Sequence, residues 1–226
     1  MMRLGAFAVS VFAGILAAAP VNPELLQRLD TAASRFMSMS ATVIYLTHTD
    51  VIDENTTETG NVVMKKVAPG EVQGLINFTA PNQRSVTFEK RSVKIYFPKI
   101  NTLQVYDLEK HGEQLDKFLM IGFGTSGTEL ARDYTMTVLG TEAVKGTPAI
   151  HLELIPKSGE AREYVKKLEL WIPEHLDPYP LREKITEPSG DSRMMTYSDL
   201  KINPALPPEA LKLTPPPGVK TEHPGK

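Results

Sequence analysis

The sequence predicts a mainly β fold with a few helices, arranged as an unclosed antiparallel β-barrel of about eleven strands under a helical lid. Three observations carry this. Many short runs alternate apolar and polar residues with period two, the mark of strands with one apolar face. A single amphipathic helix precedes them. A second apolar, helical-looking segment, ending in glycines, interrupts them midway.

Asn22-Pro23 starts the first helix, with Asn22 as the cap and proline at the first helical position. Leu25, Leu26, Leu29, Ala32, Ala33 and Phe36 then fall on one face. Strands follow near 41–48, 58–66, 71–78, 84–89, 92–97 and 102–107, separated by turn residues such as Pro69-Gly70 and Pro81-Asn82. Leu108, Leu115, Phe118, Leu119 and Ile121 suggest a helix that Gly122-Phe123-Gly124 breaks, and Ser126 with Glu129 makes a capping box for another. Strands return near 134–142, 148–155, 166–172, 180–187 and 192–200. Ile150, Leu152 and Leu154 alternate with polar neighbours there, as do Leu168, Leu170 and Ile172. A sheet this long curls, and the helices must cover its concave side. The proline-rich tail should run extended, loosely ordered from about residue 218.

Residues 1–19 are expected to be a cleaved signal peptide. Arg3 supplies the positive start, Leu4 to Leu16 the apolar stretch, and Ala17-Ala18-Ala19 the small residues for cleavage. Residues 20–226 would then be one domain in the periplasm. The formal net charge of −2 offers no basic excess for nucleic acid. With no cysteine, the chain has no disulfide and no thiol for lipid attachment, so packing alone must hold it.

Catalytic signatures are absent. His48, His111, His151, His175 and His223 show no metal-ligand spacing, and there is no GxSxG nucleophile elbow. Gly122, Gly124 and Gly127 spell GxGxxG, but after an apolar helix in an antiparallel protein they read as a break between lid segments, not a nucleotide loop. No enzyme activity, cofactor or metal is expected. What stands out is apolar content without catalytic groups. Val62, Val63 and Met64 are consecutive, and nine methionines offer adaptable apolar surface. The expected lining of a lipid cavity is Val62, Met64, Ile76, Phe78, Val86, Phe88, Ile95 and Phe97 from the strands. Phe118, Leu119, Ile121 and Phe123 would cover it from the lid.

Several stretches together resemble the LolA-type outer-membrane lipoprotein carrier, or lipoprotein-sorting, family nearly end to end. They are LLQRLDTAASRF, TGNVVMKK, INFTAPNQ, FLMIGFGTSGTEL, the long KLELWIPEHLDPYPLREKITEPSGDSRMMTYSDLKIN and EALKLTPPPGVK. The resemblance implies a LolA-like unclosed barrel under a helical lid. It also implies a monomeric chaperone that binds acylated lipoproteins and ferries them from inner to outer membrane. Its partners would be an inner-membrane ABC lipoprotein-releasing transporter and an outer-membrane receptor or membrane acceptor. Where the family pattern has a lysine followed by an arginine that clamps lid carbonyls, this chain has Lys65-Lys66. Lys66 is thus the expected lid latch, with charge but no planar fork. The same fold also implies an alternative, an envelope sensor or regulatory binding module of the RseB type.

Export with cleavage near Ala17 to Ala19 predicts release of the mature chain by osmotic shock. Retention in the membrane fraction after a salt wash would contradict it.

Overall fold

The computed structural model describes residues 19–89, 92–108 and 119–224. The expected signal segment up to residue 18, most of the helix expected after Leu108, and Phe118 lie outside them.

Among the described residues, thirteen strands form one sheet. In chain order they are β1 (Ala19–Pro20), β2 (Ser38–Thr49), β3 (Glu54–Ala68), β4 (Glu71–Ala80), β5 (Arg84–Glu89), β6 (Ser92–Phe97), β7 (Thr102–Asp107), β8 (Tyr134–Val144), β9 (Thr147–Pro156), β10 (Lys167–Pro173), β11 (Arg182–Thr186), β12 (Ser192–Ile202) and β13 (Lys220–Glu222). Their spatial order is β1-β8-β9-β10-β11-β12-β2-β3-β4-β5-β6-β7-β13. Neighbours are antiparallel except β13, which runs parallel to β7. The end strands β1 and β13 do not pair, so the sheet is unclosed. The mainly β class and the unclosed sheet are therefore as expected.

All eleven expected strands are present, with ends shifted by a few residues. Two short edge strands, β1 and β13, raise the count to thirteen. One expectation needs correcting: residues 220–222 are not loosely ordered but pair with the sheet. Asn101 Nδ2 donates to the Gly218 carbonyl at 3.2 Å, and the Lys220 N–H donates to the Asn101 carbonyl at 3.0 Å. Lys220–Glu222 then caps the exposed edge of β7. Three polar residues leave no apolar alternation, so backbone pairing alone defines this strand.

Helix α1 (Pro23–Arg35) starts where expected: the Asn22 side chain accepts the Glu24 N–H, and Pro23 occupies the first turn. It lies across two apolar clusters. Leu25 and Leu29 join Leu152, Leu154, Leu168, Leu170 and Ile172 from β9 and β10. Ala32, with Phe36 just past the helix end, joins Met39, Val43, Val62 and Met64 from β2 and β3. Helix α2 (Gly127–Asp133) has both capping-box bonds between Ser126 and Glu129. It is tied to α1 by the Thr128 N–H and hydroxyl, which donate to Asp30 at 2.8 and 2.9 Å. A one-turn helix, α3 (Gly159–Arg162), follows β9.

The glycine of α2 is a packing device. A Cβ on Gly127 would fall 2.5 Å from the Leu26 carbonyl oxygen and 2.9 Å from Leu26 Cα. Both obstacles are backbone, so they cannot swing aside. Gly127→Ala should push α2 off α1 and destabilise the fold by about 1–3 kcal/mol, read as a lowered Tm. An unchanged Tm would show that this contact is not needed.

Candidate functional site

The side chains that face α1 belong to one parity of each strand, and the register turns them into rows. Val62 pairs with Ile76, Ile76 with Val86, and Val86 with Ile95. That is an unbroken apolar row across β3, β4, β5 and β6, about 14 Å wide at normal strand spacing. Beside it, Met64 pairs with Gly74, Gly74 with Phe88, and Phe88 with Val93. Gly74 leaves room for the Phe88 ring, whose atoms would sit 2.1 Å from a Cβ there.

The row is covered unevenly. Val62, Met64 and Phe88 are buried in the cluster that contains Phe36 and Phe123, with Ile76 and Leu119 packed against it. Val86, Ile95 and Phe97 remain half-buried. Phe78 lies on the same face but outside this cluster. Its ring packs on Tyr45 at 5.6 Å, and the Arg84 guanidinium stacks 4.0 Å above it. Arg84 also makes a two-pronged ion pair with Glu58, which is buried on the same face.

Residues 119–125 form the described part of the lid. The N–H groups of Phe123, Gly124 and Thr125 all donate to the Met120 carbonyl, folding the segment into a tight turn. Phe123 stacks on Tyr179 at 6.1 Å, meets Tyr197 edge-on at 5.4 Å and touches Phe36 at 5.8 Å. Tyr179 is fixed in turn by its hydroxyl, which donates to the Ala32 carbonyl at 2.9 Å. Ile121 points the other way, into the β9–β10 cluster. Of the expected lid residues, then, Leu119 and Phe123 belong to the cluster of Val62, Met64, Ile76 and Phe88, whereas Ile121 belongs to that of the neighbouring half of the sheet. Lys66 lies at the end of β3, opposite Val72, and its backbone N–H donates to the Met37 carbonyl. Among the described residues its ammonium donates to no lid carbonyl.

Between Ile121 and Phe123, Gly122 has a φ of 80° and sits over β11. A Cβ there would lie 2.7 Å from Pro180 Cγ and 2.9 Å from Glu183 Oε1. Glu183 is an acid set into the apolar face. Its Oε2 accepts the Tyr197 hydroxyl at 3.1 Å, while Oε1 is buried without a hydrogen-bond partner. Burial pushes this carboxyl up from 4.5 to about 8, against the smaller downward pull of the Tyr197 bond. Tyr197 is raised well above its ordinary value, first by burial and then by Glu183.

Neither Glu183, Tyr179 nor Tyr197 was among the expected site residues. Parity held the signal for Glu183: in Arg182-Glu183-Lys184-Ile185 it shares the inward side with Ile185. Among the described residues, one cleft lies away from this site and another borders it at Ala32 and Tyr179. The first, about 540 Å³, runs between the opposite face of β3–β6 and residues 206–214. The other, about 580 Å³, separates α1 from residues 176–179.

A family model described as a predicted periplasmic protein (DUF2092) matches residues 125–221, less than half of the chain. No curated protein matches. An uncharacterised conserved protein from Thermus thermophilus is similar in structure, with 17% identity over 88% of this chain and 97% of that one and a TM-score of 0.51. MucB is similar too, with 18% identity, a TM-score of 0.50 and coverage of 84% of this chain. This chain spans only 62% of MucB, which has also been solved in complex with MucA from Pseudomonas aeruginosa. A LolA superfamily protein from Nitrosomonas europaea matches more distantly, with 14% identity over 84% of this chain and 96% of that one and a TM-score of 0.40. At 17 and 18% identity, the likenesses to the Thermus thermophilus protein and to MucB are likenesses of fold.

The raised Glu183 carboxyl links stability to pH. Below about 4.5 it is protonated whether the chain is folded or not; between there and about 8 only the unfolded carboxyl ionises. Its contribution therefore falls as pH rises through that window and levels off above it. Glu183→Gln is neutral throughout, so its stability should gain on wild type from about pH 5 to about pH 8, by an amount on the order of a few kcal/mol, read as a rising Tm difference. Parallel Tm–pH curves would contradict a buried, raised Glu183.

Proposed function

We propose that this protein is a periplasmic carrier that shelters lipoprotein acyl chains on its apolar concave face and ferries them from inner to outer membrane. The observation that supports this best is the row Val62–Ile76–Val86–Ile95, apolar across four strands and half-buried toward one end, beside a turn built on glycine. Each CH₂ of an acyl chain taken out of water is worth about 0.8 kcal/mol, so a multiply acylated protein cannot cross an aqueous space unaided. A curved apolar sheet offers the compensating surface without a catalytic group.

Closure is assigned to Phe123. Its contacts with Phe36, Tyr179 and Tyr197 are each worth about 0.5–1.5 kcal/mol, enough to favour a closed lid and little enough to be displaced by a chain. In this reading residues 1–19 are the export signal and residues 20–226 act as one carrier domain. Cargo arrives from an inner-membrane releasing transporter and leaves to an outer-membrane receptor or acceptor membrane. The periplasmic description of the family matching residues 125–221 accords with that compartment.

A second reading, an envelope sensor that docks a protein segment, draws on the fold shared with MucB. One assay separates the two. Purified protein added to energised spheroplasts that hold a cognate transporter should release acylated lipoprotein into the supernatant one-to-one and leave the non-acylated form behind. Phe123→Ala should hold less cargo. Acylated lipoprotein remaining with the cells would reject the carrier reading in favour of the sensor.

A further inference from the structure

We propose that Glu183, braced by Tyr197, is the polar anchor of this site and donates a hydrogen bond to an ester or amide carbonyl at the head of an acyl chain. The inference rests on the carrier reading and adds what that reading leaves open: what the site recognises besides apolar bulk.

The placement is unusual for an acid. Glu183 pairs across the sheet with Leu170 on one side and Met195 on the other, and both neighbours are apolar. Arg182 and Lys184, adjacent in sequence, alternate to the opposite face. From β12 the one titratable group that meets the carboxyl is the Tyr197 hydroxyl. From β10 it pairs with Leu170, and from above Gly122 lies over it with Pro180 alongside, none of which carries charge. No cation among the described residues compensates it, and the neutral acid is the form that burial favours up to about pH 8.

A neutral carboxyl has one O–H to donate and further capacity to accept. Tyr197 uses Oε2 as an acceptor, while Oε1 is buried and unpartnered. A buried polar group left unmade costs about 1–3 kcal/mol, and an acceptor arriving with an apolar body would remove that cost. An ester or amide carbonyl fits: it accepts a hydrogen bond, carries no charge and is joined to the chain that fills the apolar row. An anionic head group fits poorly, since no described cation would neutralise it in this apolar setting. Position supplies the access. Ile121 and Phe123 enter separate clusters on either side, and Gly122 between them lies directly over Oε1. Lifting the turn uncovers Oε1 and opens the apolar face in one motion.

The test is displacement of an anilinonaphthalene fluorescent probe from the purified protein by methyl laurate or by the n-alkane of equal length. Near neutral pH the wild type should bind the ester about fivefold more tightly than the alkane, the value of one net hydrogen bond. That ratio should fall toward one as pH rises past about 8. Glu183→Leu should lose the ratio. Glu183→Gln, whose amide donates at every pH, should keep it without the pH dependence, and it preserves the test should leucine disturb folding. An ester-over-alkane ratio unchanged in Glu183→Leu, or a pH dependence that survives in Glu183→Gln, overturns the anchor and leaves the carrier reading standing. Failure of both competitors to displace the probe from wild type overturns the carrier reading and the anchor with it.

Discussion

Helix α1 lies across the concave face of a sheet that would otherwise expose apolar residues along its length. Leu25 and Leu29 enter the cluster of β8–β10, and Ala32 and Phe36 enter that of β2–β3. One helix therefore joins halves of the sheet built from residues far apart in sequence. Arg28 strengthens the joint by donating to the carbonyls of Pro173 and Leu176 at 3.1 and 2.8 Å. Thr128 and Asp30 fasten α2 to the same helix. Whatever moves over the concave face moves against α1. One of the lid's aromatic contacts, Phe123 on Phe36, lies just past its C-terminal end.

The lid is a compromise between cover and release. A segment packed on one cluster alone could peel away with little effect on the rest. Here Ile121 and Phe123 divide between the two clusters, so lifting the turn loosens both. Glycine at 122 is required by a positive φ and by the side chains beneath it, which bring the backbone close to Pro180 and Glu183. The spacing that looked like a nucleotide motif thus serves helix and sheet packing: Gly122 over β11, Gly124 against Met120 and Gly127 against Leu26.

Much of the fold was legible in the sequence because strands with one buried face must alternate. Ile150, Leu152 and Leu154 announce β9 directly, and Asn22, Pro23, Ser126 and Glu129 mark helix starts by the bonds they make. Register was not legible. Parity put Phe78 on the face of Val62, and there it lies, but the Glu58–Arg84 pair and Tyr45 surround its ring instead of the apolar row. Ile121 was expected beside Phe123, yet the turn at Met120 sends them to different clusters, because residues two apart on a turn do not share a face. Glu183 escaped notice because a charge between Arg182 and Lys184 reads as part of a solvated run unless parity is followed strictly.

The central claim is that the concave apolar face holds acyl chains. The most direct test is mass spectrometry of the protein purified gently from its native envelope, intact and after solvent extraction. The account predicts one acylated species bound per chain, lost together with its added mass when Phe123 or Val62 is replaced by a charged residue. A ligand-free protein that also takes up no acylated species on incubation with lipoprotein would contradict it.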